Sequence, residues 1–201
     1  MKTKLSILLF SLLILVGWKA DAQDAGHSLS DAKSSYSSGN LDDARFALEQ
    51  ALQQIDQIIG NEILKVLPTN MSGMNYVEQD DNVVGTSLGF AGLFVDRNYI
   101  DETKSASIDV IGDSPLMAGI NAILAMPAIV TAGNDNQKRI KIDGYKSLIQ
   151  KDSDSNGMES YTVQIPANTL LISFNVTGFN ENEVIAMANT IPVTQIVKIA
   201  Q

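Results

Sequence analysis

The sequence predicts an α+β fold: an N-terminal αα-hairpin with one long helix packed on an antiparallel β-sheet, which two further helices cover. Three observations carry that prediction. Between Leu41 and Leu67 apolar residues recur at three- and four-residue steps (Leu41, Ala44, Leu48, Leu52, Ile55, Ile59, Ile63), the pattern of an amphipathic helix of about seven turns. After Met74 the period shortens to two, most clearly where Leu170, Ile172, Phe174 and Val176 alternate with Leu171, Ser173 and Asn175. Two later apolar segments open on helix-start signals, Asp113-Ser114-Pro115 and Asn180-Glu181.

The first twenty-two residues stand apart. Lys2 and Lys4 precede an apolar run from Leu5 to Trp18, and Ala20-Asp21-Ala22 follows as a small-x-small cleavage site. The run is short for a bilayer span. It reads as a secretory signal peptide cut after Ala22; an uncleaved membrane anchor is the alternative. With no cysteine in the chain there is no thiol to carry a lipid at that site, and no disulfide to staple an exported domain. The domain must therefore hold by its core, and a chain of this size buries roughly 70 % of its unfolded surface. The expected organisation is 1–22 signal peptide, 23–67 helical hairpin and 68–201 sheet domain, the last two forming one compact unit. The expected location is periplasmic or extracellular, with no membrane attachment after cleavage.

Residues Gln23 to Leu29 are polar and predict a loose terminus. They hold His27, the single histidine, which has no second strong ligand beside it and reads as a solvated side chain. Ser30 is placed as the cap of a short helix to Ser38, and Gly39-Asn40 breaks the chain before the long helix. Ala32, Gly39, Leu41, Ala44, Leu48 and Ala51 then fall at the spacing of a tetratricopeptide repeat. The stretch from Asp31 to Gln54 resembles one such repeat, with Tyr36 one place from the usual aromatic position. No second copy follows, and a single repeat cannot bury its faces alone. A peptide-binding superhelix is therefore not supported and the hairpin is expected to pack on its own domain; if it binds a partner instead, Tyr36 with the exposed side of the long helix is the candidate face.

Pro68 to Gly73 reads as a turn-rich link, and Met74 to Glu78 as a short strand before an acidic turn at Gln79 to Asn82. Ser87 to Ile100 reads as a strand in which glycines mark a bend. Ala106 to Ile111 returns as its hairpin partner, with Ile108 and Val110 on one side and Ser107 and Asp109 on the other. Leu116 to Ile129 is almost uniformly apolar and predicts a helix buried on most sides, ended by Pro127. A loop at Gly133 to Asn136 leads to Lys138–Asp143, with Ile140 and Ile142 inward. Gly144-Tyr145 and Leu148-Ile149 continue the sheet, and Tyr161–Ile165 and Thr169–Val176 are the last strands. A helix on Val184, Ile185, Met187 and Ala188 stops before Pro192, and Val193 to Ile199 adds a final helical turn.

Chemistry is sparse in this pattern. Asp152, Asp154 and Asn156, followed by Gly157, are the first half of a calcium loop, with oxygen ligands at alternate places and a glycine at the sharp turn. The twelfth place, where a bidentate glutamate belongs, is Val163, and Asn156-Gly157 is equally a hairpin turn. The loop is therefore a weak calcium site or a plain hairpin tip. No other cofactor is indicated. No cysteine nucleophile exists, and a Ser-His-Asp set would rest on His27 alone. No phosphate loop is present: Gly89-Phe90-Ala91-Gly92 lacks the dinucleotide-binding spacing. Asp80, Asp81, Asp101 and Glu102 are read as solvated turn residues. The formal net charge of −9 opposes phosphate backbones, so nucleic acid is not an expected partner.

A second resemblance covers about Leu64 to Ile199. The runs GFAGLFVDRNY, DSPLMAGINAIL and IKIDGY, with a hydrophobic strand before the last helix, resemble a family of exported bacterial α+β proteins similar in outline to PsbP-like accessory proteins. The resemblance implies the fold and an exported setting, and brings no activity or catalytic residue. The functional expectation is a secreted or periplasmic non-enzymatic binding or accessory protein, with a protein or a small ligand as partner. The alternatives are a carboxylate-dependent hydrolase and a calcium-stabilised structural module.

Overall fold

The computed structural model describes residues 20–85, 92–126, 136–153 and 159–201. Its elements run α1 (Ala20–Ser37), α2 (Leu41–Val66), β1 (Asn70–Met71), β2 (Met74–Tyr76), a 3₁₀ turn (Glu78–Asp80), β3 (Asn82–Gly85), β4 (Leu93–Asp101) and β5 (Lys104–Gly112). Then come α3 (Leu116–Ala125), β6 (Gln137–Ile142), β7 (Tyr145–Ser153), β8 (Glu159–Ala167), β9 (Leu170–Thr177), α4 (Glu181–Ala188) and α5 (Val193–Ile199). This is the α+β class that the periodicities predict. The chain divides into two compact units, Met1–Ile55 and Asp56–Gln201, with the division inside α2.

The first unit contains α1 and the first half of α2. Asn40 caps α2, its Oδ1 accepting from the Asp43 backbone N–H at 3.5 Å, and Gly39 takes the left-handed φ of +80° that the tight link requires. The seam between the helices is made of small residues: Ala25, Ala32, Ala44, Ala47 and Ala51 are buried. Ser28, also buried, donates from Oγ to Gln54 Oε1 at 3.2 Å. The expected loose terminus is instead helical. α1 already includes Gln23 to Leu29, and Ser30 lies in its interior rather than at its cap. Ala25 and Ser28 explain this, because they extend the seam two turns beyond what periodicity shows.

In the second unit the strands form one antiparallel sheet in the order β1-β2-β4-β5-β9-β8-β7-β6, with β3 also paired to β4. Alternation assigns Val95, Ile108, Val110, Ile172, Phe174, Val163 and Ile165 to one face, all fully buried. Onto that face pack Ile63 and Leu67 at the end of α2, Val184 and Met187 of α4, and Val193 and Ile196 of α5. Asn180 caps α4 through a capping box with Glu183, at 3.1 Å and 2.9 Å. α3 sits on the opposite face, where Ile120 and Leu124 meet Leu148 and Leu171.

Three local expectations change. α3 is almost uniformly apolar, yet it buries only Ile120 and Leu124 and leaves Leu116, and Met126 just beyond its end, exposed, because it covers a single patch of sheet. Neither candidate cap takes that place: Pro115 is the N-cap of α3, without a side-chain cap bond, while Ser114 Oγ accepts from Leu116 N–H at 3.4 Å and Asp113 adopts a φ of +52° and donates its N–H to the Thr169 carbonyl. Asp143-Gly144, with φ of +47° and +85°, forms a two-residue turn pairing Ile142 with Tyr145, so Gly144 is a turn residue rather than sheet. The strand expected over Ser87–Ile100 begins at Leu93 within the described residues, and residues 86–91 lie outside them.

Candidate functional site

The hairpin carries the candidate surface. Because the alanine seam holds the helices, their larger apolar side chains are not used in it. Seven of the eleven exposed large apolar residues among the described ones lie between Leu29 and Ile55, so exposure is concentrated there rather than scattered. Tyr36 is 70 % exposed and Leu52 62 %. At about 100° per residue, Leu29 and Tyr36 are rotated from the buried stripe of α1 in the same sense as Leu48 and Leu52 are from that of α2. In antiparallel helices an equal sense of rotation turns both sets to one side. Tyr36 and the exposed side of α2 are therefore neighbours on one apolar surface. Arg45 and Glu49 border it, joined by a bond from Nε to Oε1 of 3.0 Å.

The other sequence candidates disperse. His27 lies on α1, with Nδ1 3.4 Å from Asp31 Oδ2 and both side chains exposed. Asp152 is exposed near the end of β7, and Gln150 Nε2 donates to its Oδ2 at 3.3 Å. Asp154 and Asn156 lie outside the described residues, where the calcium-loop reading also falls. Among the described residues no group of three or more metal-ligating side chains occurs.

Asp81, read as a solvated turn residue, is instead inside. Its side chain retains 13 % exposure, and both its oxygens accept from Arg97, which is itself buried. Arg97 also donates from a terminal nitrogen to the Leu67 carbonyl at 3.1 Å and lies 4.3 Å from the Tyr76 ring centroid. Burial opposes its charge, but the hydrogen bonds and charge of Asp81 outweigh this, and its pKa is raised. Tyr99 donates to the Pro68 carbonyl at 2.6 Å. The two side chains together satisfy backbone acceptors where α2 ends. An arginine at an inward position of a strand, flanked by Val95 and Tyr99, is the sequence signal for this clasp.

A second polar group lies on the sheet face opposite the main core. Asp96 of β4 and Asp109 of β5 are direct cross-strand partners in hydrogen-bond contact. Asn175 donates from Nδ2 to Asp109 Oδ2 at 2.9 Å and to Ser107 Oγ at 3.2 Å, and Thr162 Oγ1 donates to Asn175 Oδ1 at 3.0 Å. Burial, then the charge and hydrogen bond of Asp96, push the Asp109 carboxyl up to about 6, against the opposing pull of Asn175. Two carboxylates standing directly opposite one another disfavour ionising together, so the pair takes up a proton as pH falls towards 6.

No family model matches the chain, and no curated protein does. Among solved structures the chain is similar to the extracellular domain of PknH from Mycobacterium tuberculosis, at 13 % identity over 56 % of this chain and 68 % of that one, with a TM-score of 0.36. A likeness at that score bears on neither the site nor the function. No helix among the described residues is long and apolar enough to cross a membrane.

Proposed function

We propose that this chain is an exported, non-enzymatic binding or accessory protein that engages a protein partner through the apolar side of its helical hairpin. The observation carrying this reading is the joint exposure of Tyr36, Leu48 and Leu52 on one side of a hairpin whose own seam needs none of them. The leader sequence and the resemblance to exported PsbP-like accessory proteins support the setting. A photo-crosslinking residue placed at Tyr36 or at Leu52 is expected to give a discrete adduct in cells. Leu48→Gln is expected to remove that adduct without lowering the melting temperature. No adduct from either position, or one unaffected by Leu48→Gln, would refute the assignment.

The hydrolase reading has one observation behind it, the Asp96–Asp109 pair. The two carboxyls are direct cross-strand neighbours, and burial and the neighbouring carboxyl both favour the protonated form of Asp109, so the pair is better suited to taking up a proton than to flanking a scissile bond. Hydrolysis of a glycoside or ester by the wild type, abolished in Asp109→Asn, would reverse this ranking.

A further inference from the structure

We propose that the apolar side of the helical hairpin takes a second copy of this chain, the two hairpins stacking face to face as an antiparallel four-helix bundle. This rests on the reading of that side as a binding surface, and names its occupant. On α2 the exposed apolar residues of the face are Leu41, Leu48, Leu52 and Ile55, at steps of seven, four and three. That is the spacing by which one helix seats its side chains between those of another. An anionic lipid surface is a poor occupant, because the chain carries a formal net charge of −9 and Asp42, Asp43 and Glu49 stand on the same helix.

The face is its own complement, and that is what points to a second copy. A two-fold interface sets one patch against itself, so what lies above the axis must suit what lies below it. Leu41 and Ile55 lie at equal distances on either side of Leu48. On α1 the midpoint of Leu29 and Tyr36 falls at residues 32–33. The bond from Ser28 Oγ to Gln54 Oε1 sets those two positions level, which in antiparallel helices brings residues 32–33 level with 49–50. Both stripes are thus centred within about two residues, or about 3 Å, of one level. A single two-fold axis lying across the face carries each stripe onto its own copy. The charges reverse in the same way. Arg45 and Glu49 stand at the outer edge of the α2 stripe, four residues apart and on either side of that level. Across the axis Arg45 comes close to level with Glu49 of the second copy, and Glu49 with its Arg45. A parallel arrangement would set Arg45 on Arg45 and Glu49 on Glu49, and is disfavoured. The two side chains are 82 % and 42 % exposed, so the bond they share within α2 is weak in water and readily exchanged for the intermolecular one. The face is about 20 Å long and two helices wide. That is a modest area for a dimer, and association is expected at micromolar concentrations. More dilute chains are monomers, in which Leu52 adds nothing to folding.

The test is analytical sedimentation of the purified full chain, its mass read as concentration rises through the micromolar range. The mass is expected to climb from one chain to two and to stop there. Arg45→Glu sets Glu against Glu, and Glu49→Arg sets Arg against Arg; each is expected to weaken association about tenfold or more. The double exchange, Arg45→Glu with Glu49→Arg, restores both contacts and is expected to return the dissociation constant to within about threefold of wild type. Leu48→Gln, at the centre of the face, is expected to abolish association. All these side chains are exposed, so thermal melts of the dilute variants are expected to match wild type. A chain that stays monomeric or grows past two copies would overturn the proposal. So would a single charge variant that associates like wild type, or a double exchange as weak as the singles. Crosslinks from Tyr36 and Leu52 keep this apart from the broader reading. An adduct of twice the chain's mass supports the second copy. An adduct of another mass, from a chain monomeric in solution, overturns it and leaves the binding surface standing; no adduct overturns both.

Discussion

The two halves of α2 have similar apolar density and opposite fates. In the first unit Leu48 and Leu52 remain exposed while alanines hold the helix to α1; in the second, Ile63 and Leu67 are buried in the main core. The contrast teaches that apolar periodicity marks a face that needs a partner, without saying whether the same chain supplies it. Where the chain supplies it, the residues contribute to stability. Elsewhere they are available for recognition.

The largest effect that would break the comparison on the sheet side comes from Arg97→Ala. It leaves the Asp81 carboxylate and the Leu67 carbonyl without their donor, and removal of one partner of a buried ion pair costs about 3–5 kcal/mol. Chemical denaturation should show that loss as a lowered midpoint. The comparison is sharpest within α2 itself. Ile63→Ala, at a fully buried position, should destabilise by about 2–5 kcal/mol. Leu52→Ala should fall within about 0.5 kcal/mol of wild type in the same denaturation series. Similar losses at both positions would mean that the hairpin surface is structural after all.

The carboxylate pair gives a pH-dependent prediction of intermediate size. A folded-state pKa raised to about 6 from 3.8 means that the folded chain binds the proton more tightly than the unfolded one. The stabilisation is complete below pH 3.8 and disappears as pH rises through 6, an effect on the order of 1–2 kcal/mol after allowance for solvent screening. Asp109→Asn imitates the protonated state. It should flatten that part of the stability–pH curve and raise stability at pH 8, as thermal melts across pH will show. A smaller loss than at Arg97 or Ile63 is expected at Gly60, where an added Cβ would run into Val83 and press within 3.2 Å of Leu93 and Val95. Overpacking costs about 1–3 kcal/mol and the better helix propensity of alanine returns about 1, so Gly60→Ala should still destabilise, by about 1 kcal/mol. An increase in melting temperature would show that α2 can retreat from β3.

Much of the fold is legible in local pattern. The long helix, its Asn40 boundary, the β4–β5 and β8–β9 alternations and the Asn180 cap all follow from spacing and short-range hydrogen bonding. Some features were visible in the residues but ambiguous. Asp143-Gly144 has turn chemistry, yet it lies inside an alternating run that reads as strand. The helix over Gln23 to Leu29 is not local at all: its polar residues are ordered by a seam with α2 more than twenty residues away.

By itself the sequence determined the class of fold, the faces of its strands and the acidic balance of the chain, because backbone periodicity and charge are local properties. Only the tertiary structure decided that Asp81 pairs with Arg97, that Asp96 stands opposite Asp109, that Lys141 meets Lys146, and that α3 keeps an apolar side exposed. Each of those depends on strand register and on which face a helix covers. Register is set by the sum of many pairings, and no single spacing along the chain contains it.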